Sequence, residues 1–206
     1  MASLGAKVMQ PASIQEARLN RIEIDVKSTF SKKSGTTITK KRNITGKNII
    51  RGISFTKNDA KLTLLGVKDK PGIAASIFKP LYENSINVDM VVQNISAGSK
   101  ETDLTFTIKL EDLYKTRKLL ENNKSINFRK LIVNKNVSKV SIVGVGMITT
   151  PGVSYRMFKA LAKKKINIEV ISTSEIKISV LINKKNLKKS VEILHQEFKL
   201  SSSLWV

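Results

Sequence analysis

The 206-residue sequence contains no cysteine. This excludes disulfides, thiolate metal centres, a cysteine nucleophile and a dithiol redox pair, and it fits a reducing compartment. Histidine occurs once, at His195, and the sequence shows no acid/base pair or metal cluster around it. Aromatic residues make up only 5% of the chain, which leaves little for a base-stacking platform on a sheet. No apolar run approaches the ~18–20 residues that cross a bilayer. The opening stretch MASLGAKVMQPAS lacks the charged-then-apolar pattern of a secretory signal. A phosphate loop of the form G-x-x-x-x-G-K-[ST] is missing, and Gly144-Val145-Gly146 lacks the third glycine of a dinucleotide fingerprint. These absences point to a soluble, cytoplasmic protein without a nucleotide site of its own.

Acidic residues are also scarce: 16 Asp and Glu stand against 37 Lys and Arg, a formal charge of +21. Such a charge bears on solubility and non-specific anion binding rather than on fold. Only seven of the basic residues are arginine, and the chain is rich in Lys, Ile and Asn together. Arginine's planar fork suits phosphate and base recognition better than a lysine ammonium. The excess therefore reads first as compositional drift, and a nucleic-acid surface is the second reading. With 41% hydrophobic residues, the chain has globular composition and enough length for one large or two small domains.

An internal repeat organises this material. KLTLLGV (61–67) matches KVSIVGV (139–145), and each is followed by Pro-Gly, at Pro71-Gly72 and Pro151-Gly152. The match continues through Phe78 and Phe158, Leu81 and Leu161, and Ile86-Asn87 and Ile166-Asn167. Apolar alternation at Leu104, Phe106, Ile108 and at Ile178, Val180, Ile182 predicts half-buried strands. Proline suits a first helical turn because its missing N–H would be unpaired there. Ile73, Ile77 and Leu81 then lie on one helical face, with Pro80 expected to kink or end that helix. Each unit reads βαββα, and Ile126–Val133 adds a fourth strand to the first. This gives an α+β fold of ferredoxin-like βαββαβ units. The second unit lacks its last strand, and IIRGISF (49–55) stands unused before the first. An uncovered sheet edge is a liability, so 49–55 is expected to join the second sheet, with the first unit inserted into the second.

Residues 1–48 lie outside the repeat. SIQEARLN reads as a helix, with Ser13 and Glu16 at capping-box spacing. RIEIDVKSTF (21–30) reads as a strand, and 32–48 as a polar, basic linker. One helix and one strand cannot build a core of their own.

VKDKPGIAASIF, INVDMVVQNIS, TDLTFTI, VSIVGVGM, PGVSYRMFKAL and INIEVISTSEIKISVLI, in that order, resemble the C-terminal half of bacterial aspartokinase, a pair of amino-acid-sensing ACT domains. ASLGAKVMQPASI resembles the end of that family's kinase domain. The resemblance implies a kinase-domain remnant with linker over 1–48, a first ACT domain over 58–135, a second over 49–57 with 136–200, and a tail over 201–206. It implies the regulatory portion of an enzyme that phosphorylates L-aspartate with ATP and Mg in lysine, threonine, methionine and diaminopimelate biosynthesis. The KFGG-type glycine motif of the kinase domain is missing, so no catalytic residue, cofactor or metal is expected in this chain, and alone it is expected to be inactive. The implied arrangement is a truncated enzyme, a product of a split gene or a separate regulatory subunit. Its partners would be a second copy joined through the ACT domains, a catalytic aspartokinase chain, or both.

The family also implies an effector site for lysine or threonine between two ACT units. Asp69-Lys70-Pro71-Gly72 leads into a helix N-terminus, where unpaired N–H groups and the positive dipole end favour a carboxylate. Asp69 could pair with the effector's ammonium. Lys70, Gly72, Ile73 and Ala74 would frame the turn, and Gln93 and Ser96 could hydrogen-bond the ligand. The opposing unit would offer Val153, Ser154, Asn167 and Ile168. The second copy carries Thr149-Thr150 where the first has Asp69-Lys70, so one site per pair of units is expected. A plain turn or cap role for Asp69 is the competing reading. Against the regulatory function stand a basic ferredoxin-like module that binds nucleic acid and an inactive gene remnant.

Overall fold

The computed structural model describes residues 8–39, 49–95, 100–123, 125–144, 147 and 150–200. The helix α1 (Pro11–Leu19) leads into β1 (Ile24–Val26) and β2 (Thr36–Ile38). Then follow β3 (Ile50–Lys68), α2 (Ile73–Glu83), β4 (Val88–Ile95), β5 (Glu101–Lys109), α3 (Leu113–Glu121) and β6 (Lys130–Gly144). The chain closes with α4 (Val153–Lys163), β7 (Ile168–Thr173), β8 (Lys177–Asn183) and α5 (Leu187–Glu197).

The sheet is one body where two were expected. Six strands run in the order β4-β5-β3-β6-β8-β7, every neighbouring pair antiparallel. IIRGISF and KLTLLGV are the two ends of a single strand of 19 residues. The 126–133 segment and KVSIVGV likewise share one strand, β6, which begins at Lys130, while Ile126 packs into the core from the preceding loop. No proline or tight turn separates the halves, so the strands run on through register shifts at 56–59 and 59–61. The first half of the sheet holds β4, β5, the end of β3 and the start of β6. The second half holds β7, β8, the end of β6 and the start of β3. Residues 50–56 pair with 139–144 and so complete four strands in the second half. The insertion is thus visible as strand pairing.

Each half buries one face against its own two helices. In the first, Leu62, Leu64, Leu104, Phe106 and Ile108 pack on Ile73, Ile77 and Leu81 of α2 and on Leu113 and Leu120 of α3. The rings of Phe78 and Phe106 meet edge to face with centroids 5.3 Å apart, a favoured aromatic geometry. In the second half, Val140, Ile142, Ile178, Val180 and Ile182 pack on α4 and α5, with Met147 and Met157 in the same core. Pro80 lies within α2, which ends within one turn of it. Asn84 donates its side-chain amide to the Pro80 carbonyl at 2.9 Å, satisfying a helix-end acceptor. A small third cluster, Met90, Val137 and Leu181 with Val170, lies where the halves meet.

The N-terminal segment departs from expectation in two places. Helix α1 begins at Pro11, with Gln10 as its N-cap and no side-chain cap bond. Ser13 therefore sits inside the first turn, and the expected capping box with Glu16 does not form; proline's fixed φ sets the start instead. The linker contains a strand, because Thr36–Ile38 pairs with Ile24–Val26. The Thr37 hydroxyl donates to Asp25 at 2.6 Å. This bond, together with Lys27, holds the exposed Asp25 carboxyl below its usual range. No residue of α1 is buried, so this segment has no core of its own.

Candidate functional site

The two Pro-Gly turns are built alike. Gly72 (φ +86°) and Gly152 (φ +90°) each cap the following helix in the left-handed region. Among the described residues, chain neighbours apart, no atom lies within 4 Å of where a β-carbon would stand on either, so backbone conformation and not crowding selects glycine. The Gly72 carbonyl accepts from the Ser76 amide at 3.0 Å, and the Gly152 carbonyl from the Arg156 amide at 2.9 Å. Among the described residues neither helix has a side-chain cap. In the first helix the Ile73 amide is taken by the Lys70 carbonyl, while the Ala74 and Ala75 amides meet no acceptor among the described residues and are left for one from outside the helix. Ile73 and Val153, the first residue of each helix, anchor the turns in their respective cores.

The first turn carries additional polar groups. The Asp69 amide donates to the Lys100 carbonyl at 2.7 Å, and the Ile73 amide to the Lys70 carbonyl at 3.2 Å. Asp69, Lys70 and Gln93 are exposed, and Ala74 is half-buried. Gln93 pairs with Leu104, which pairs in turn with Leu64 near the end of β3. Asp69, Lys70, Gly72, Ile73, Ala74 and Gln93 therefore gather at one end of the sheet. Ser96 and Thr149 lie outside the described residues.

The remaining expected site residues lie elsewhere. Because β3 and β6 are antiparallel, the turn after β3 and the turn after β6 sit at opposite ends of their ladder, with Ile50 paired to Gly144 at the far end. At roughly 3.3 Å per residue, a 19-residue strand keeps Val153 and Ser154 far from Asp69. Ile168 pairs with Ile182, and Ile182 with Ser138, which places Asn167 and Ile168 at mid-sheet. The shared cleft expected between the two copies is therefore not formed within one chain, and the reason is the antiparallel fusion of the two sheets. A depression of about 370 Å³ is lined by Pro80, Lys115, Lys118, Leu119, Asn122 and Asn123. It lies by the C-terminal ends of α2 and α3, away from either turn.

The middle of the sheet holds a charged group that reading for the turns missed. Lys61 Nζ lies 2.6 Å from Glu169 Oε2 with both side chains mostly buried. Asn134 donates to the same carboxylate at 3.1 Å. Lys139, almost wholly buried, pairs with Asp89. Asp59, nearby on β3, accepts from the Thr56 hydroxyl. Burial pushes the Asp59 carboxyl above its ordinary range, against the pull of Thr56 and Lys139. A signal was present: Lys61 and Lys139 open the matched segments KLTLLGV and KVSIVGV, and Asp89 and Glu169 occupy matched places in INVDMV and INIEVI. Among the described residues no group of three or more metal-binding side chains is found, and no helix is long and apolar enough to cross a membrane.

Comparison with known proteins places this geometry. The family model "ACT domain" matches residues 62–123 and 140–198. Aspartate kinase of Pseudomonas putida is 44% identical over 204 residues, 98% of this chain and 49% of the relative. Aspartokinase of Helicobacter pylori is 42% identical over 208 residues, covering 97% of this chain and 50% of the relative. The chain thus spans about half the length of the curated relatives it matches. Among solved structures, aspartokinase alpha and beta subunits align with TM-score 0.68 and 41% identity, over 73% of this chain and 99% of that one. The ligand-free regulatory subunit of aspartate kinase from Thermus thermophilus gives TM-score 0.68 and 36% identity over the same shares. Two fused ACT units, each with a glycine-capped turn opening a helix, and these matches together place the chain in the aspartokinase family, as its regulatory ACT-domain part.

Proposed function

We propose that this chain is the effector-binding portion of an aspartokinase, which senses an end-product amino acid and thereby controls phosphorylation of L-aspartate by ATP and Mg at a kinase domain. The observation that carries this reading is the first turn. An uncapped helix N-terminus, able to take a carboxylate, stands beside an exposed Asp69, able to take an ammonium. The pair matches the two charged ends of a free amino acid. Lysine or threonine is the effector, and Asp69, Lys70, Gly72, Ile73, Ala74, Gln93 and Ser96 are its contacts on this side.

The second side comes from another copy. Val153, Ser154, Asn167 and Ile168 are too far from Asp69 in the same chain, so a homodimer through the ACT units completes the site. A catalytic aspartokinase chain is the further partner, and residues 1–48 are the end of a kinase domain with its linker. The first ACT domain is taken as 58–135 and the second as 49–57 with 136–200, followed by a tail over 201–206; the pairing of 50–56 with 139–144 supports assigning 49–57 to the second. An effector shifts the equilibrium between active and inhibited assemblies only by its differential affinity for them.

The nucleic-acid reading gains nothing from the fold. Phe55 and Phe106, the strand aromatics, face the two helix-covered cores, whereas an RNA-binding sheet displays its aromatics to solvent.

The test is thermal. Saturating lysine or threonine should raise the melting temperature of the wild-type chain, with stabilisation of ~2.7 kcal/mol at one hundred times Kd. Asp69→Ala should abolish the rise. A variant that still responds in full would refute the assignment of Asp69.

A further inference from the structure

The two ion pairs at mid-sheet are crossed. Lys61 belongs to the first unit and Glu169 to the second, while Asp89 belongs to the first and Lys139 to the second. Lys61 and Lys139 hold matched positions in the repeat, as do Asp89 and Glu169. The lysine of each unit thus grips the acid of the other, and the internal near-symmetry of the chain relates one grip to its counterpart. A surface pair would be worth little. These differ: Lys61 and Glu169 are 19% and 17% exposed, and Lys139 is 7% exposed although its partner Asp89 is 45% exposed.

Between the two pairs runs the joint of the molecule. The halves are connected by β3 and β6, whose mutual register shifts twice between 56 and 61 of β3, opposite 134–139 of β6. A bulge bends a strand and raises its local twist, so backbone pairing alone fixes the relative angle of the halves loosely there. The apolar cluster at the joint is small, with Met90, Val137 and Leu181 buried. Direction must come from contacts that demand one geometry. The Lys61–Glu169 and Lys139–Asp89 pairs, with Asn134 on the Glu169 carboxylate, are such contacts.

We propose that these crossed ion pairs form a latch that fixes the angle between the two ACT units and so positions the residues contacting the effector. Glu169 directly follows Asn167 and Ile168. Ile168 packs on the helix-covered core, and at the register shift between Ile168 and Val170 the Glu169 side chain reaches across the joint to Lys61. Movement at the start of β7 reaches Lys61, and through β3 the Asp69 turn, without any intervening loop. The four residues are positioning residues and touch no ligand. The effect on effector affinity rests on the function proposed above, whereas the angle itself does not.

The absence of native cysteine allows a direct measurement on the full chain. Spin labels at Tyr114→Cys on α3 and Tyr155→Cys on α4, both exposed sites, report the distance between the units by pulsed dipolar spectroscopy. The labelled parent should give a narrow distribution. Asp89→Asn with Glu169→Gln should at least double its width, and exchange of both pairs (Lys61→Glu, Glu169→Lys, Lys139→Asp, Asp89→Lys) should narrow it again. An unchanged width in the neutralised variant, or a width that charge exchange does not restore, overturns the latch. If the doubly neutralised chain fails to fold, Glu169→Gln alone is read by the same criteria. Calorimetry with lysine and with threonine separates the two proposals. A wild-type chain that binds neither defeats the effector reading and leaves the distance measurement decisive for the latch. Where binding occurs, neutralisation should weaken it at least tenfold, and unaltered affinity removes the positioning role.

Discussion

The two units share a fold and differ in charge. Matched interior positions are apolar in both: Leu104 with Ile178, Phe106 with Val180, Leu113 with Leu187. Even a buried hydroxyl bond recurs, since Thr116 donates to the Asp112 carbonyl and Ser190 to the Asn186 carbonyl, both at 2.8 Å. The surfaces differ. The turn before α3 is Leu110-Glu111-Asp112, where the turn before α5 is Lys184-Lys185-Asn186. Glu83 ends α2 where Lys163 ends α4. Packing constrains volume and period, while solvent tolerates either sign of charge. The turns differ as well: Asp69-Lys70 in the first unit stands where the second has Thr149-Thr150, and under the function proposed above this makes the first unit the ligand-facing one.

The comparison can be pressed hardest in the cores. Phe106→Ala should cost ~3–5 kcal/mol, as large-to-small aromatic changes do. Val180→Ala, which removes less volume at the matched position, should cost less. Because β3 and β6 belong to both halves, urea unfolding of either variant should remain a single transition followed alike by near- and far-ultraviolet circular dichroism. Two separated transitions would show that the halves melt independently.

Next come the turns. Gly72→Ala and Gly152→Ala force an alanine to a left-handed φ with no crowding to relieve. Each should cost about 1–2 kcal/mol, and near-equal losses of melting temperature would show that the two turns are equivalent as structure and differ only as sites.

The smallest effect concerns the joint. Burial raises the Asp59 pKa in the folded chain, so ionised Asp59 penalises folding above that raised value. The penalty lifts as pH falls through the raised value and is absent below the ordinary value of 3.8. Asp59→Asn should therefore be the more stable form at neutral pH, with the advantage shrinking toward pH 4. Val137 stands at the matched place in β6, so only one half has this dependence. A stability difference that is flat between pH 4 and 7 would contradict it.

The Pro-Gly turns, the helices that follow them and the alternating strands are local consequences of residue type, and the sequence displays them twice. Ser13 and Glu16 show where local reading fails: the spacing fits a cap, yet Pro11 starts the helix earlier. Thr36–Ile38 is too short and polar to announce a strand, and it exists because Ile24–Val26 pairs with it.

The sequence by itself determined the repeat, the two apolar cores and the polar character of the first turn, since burial and backbone preference act over a few residues at a time. Tertiary structure alone decided that two sheets become one, that the two turns face opposite ends, and that Lys61 meets Glu169 across 108 residues of chain. Strand pairing and ion pairing join residues by distance in space, and no local pattern encodes that distance.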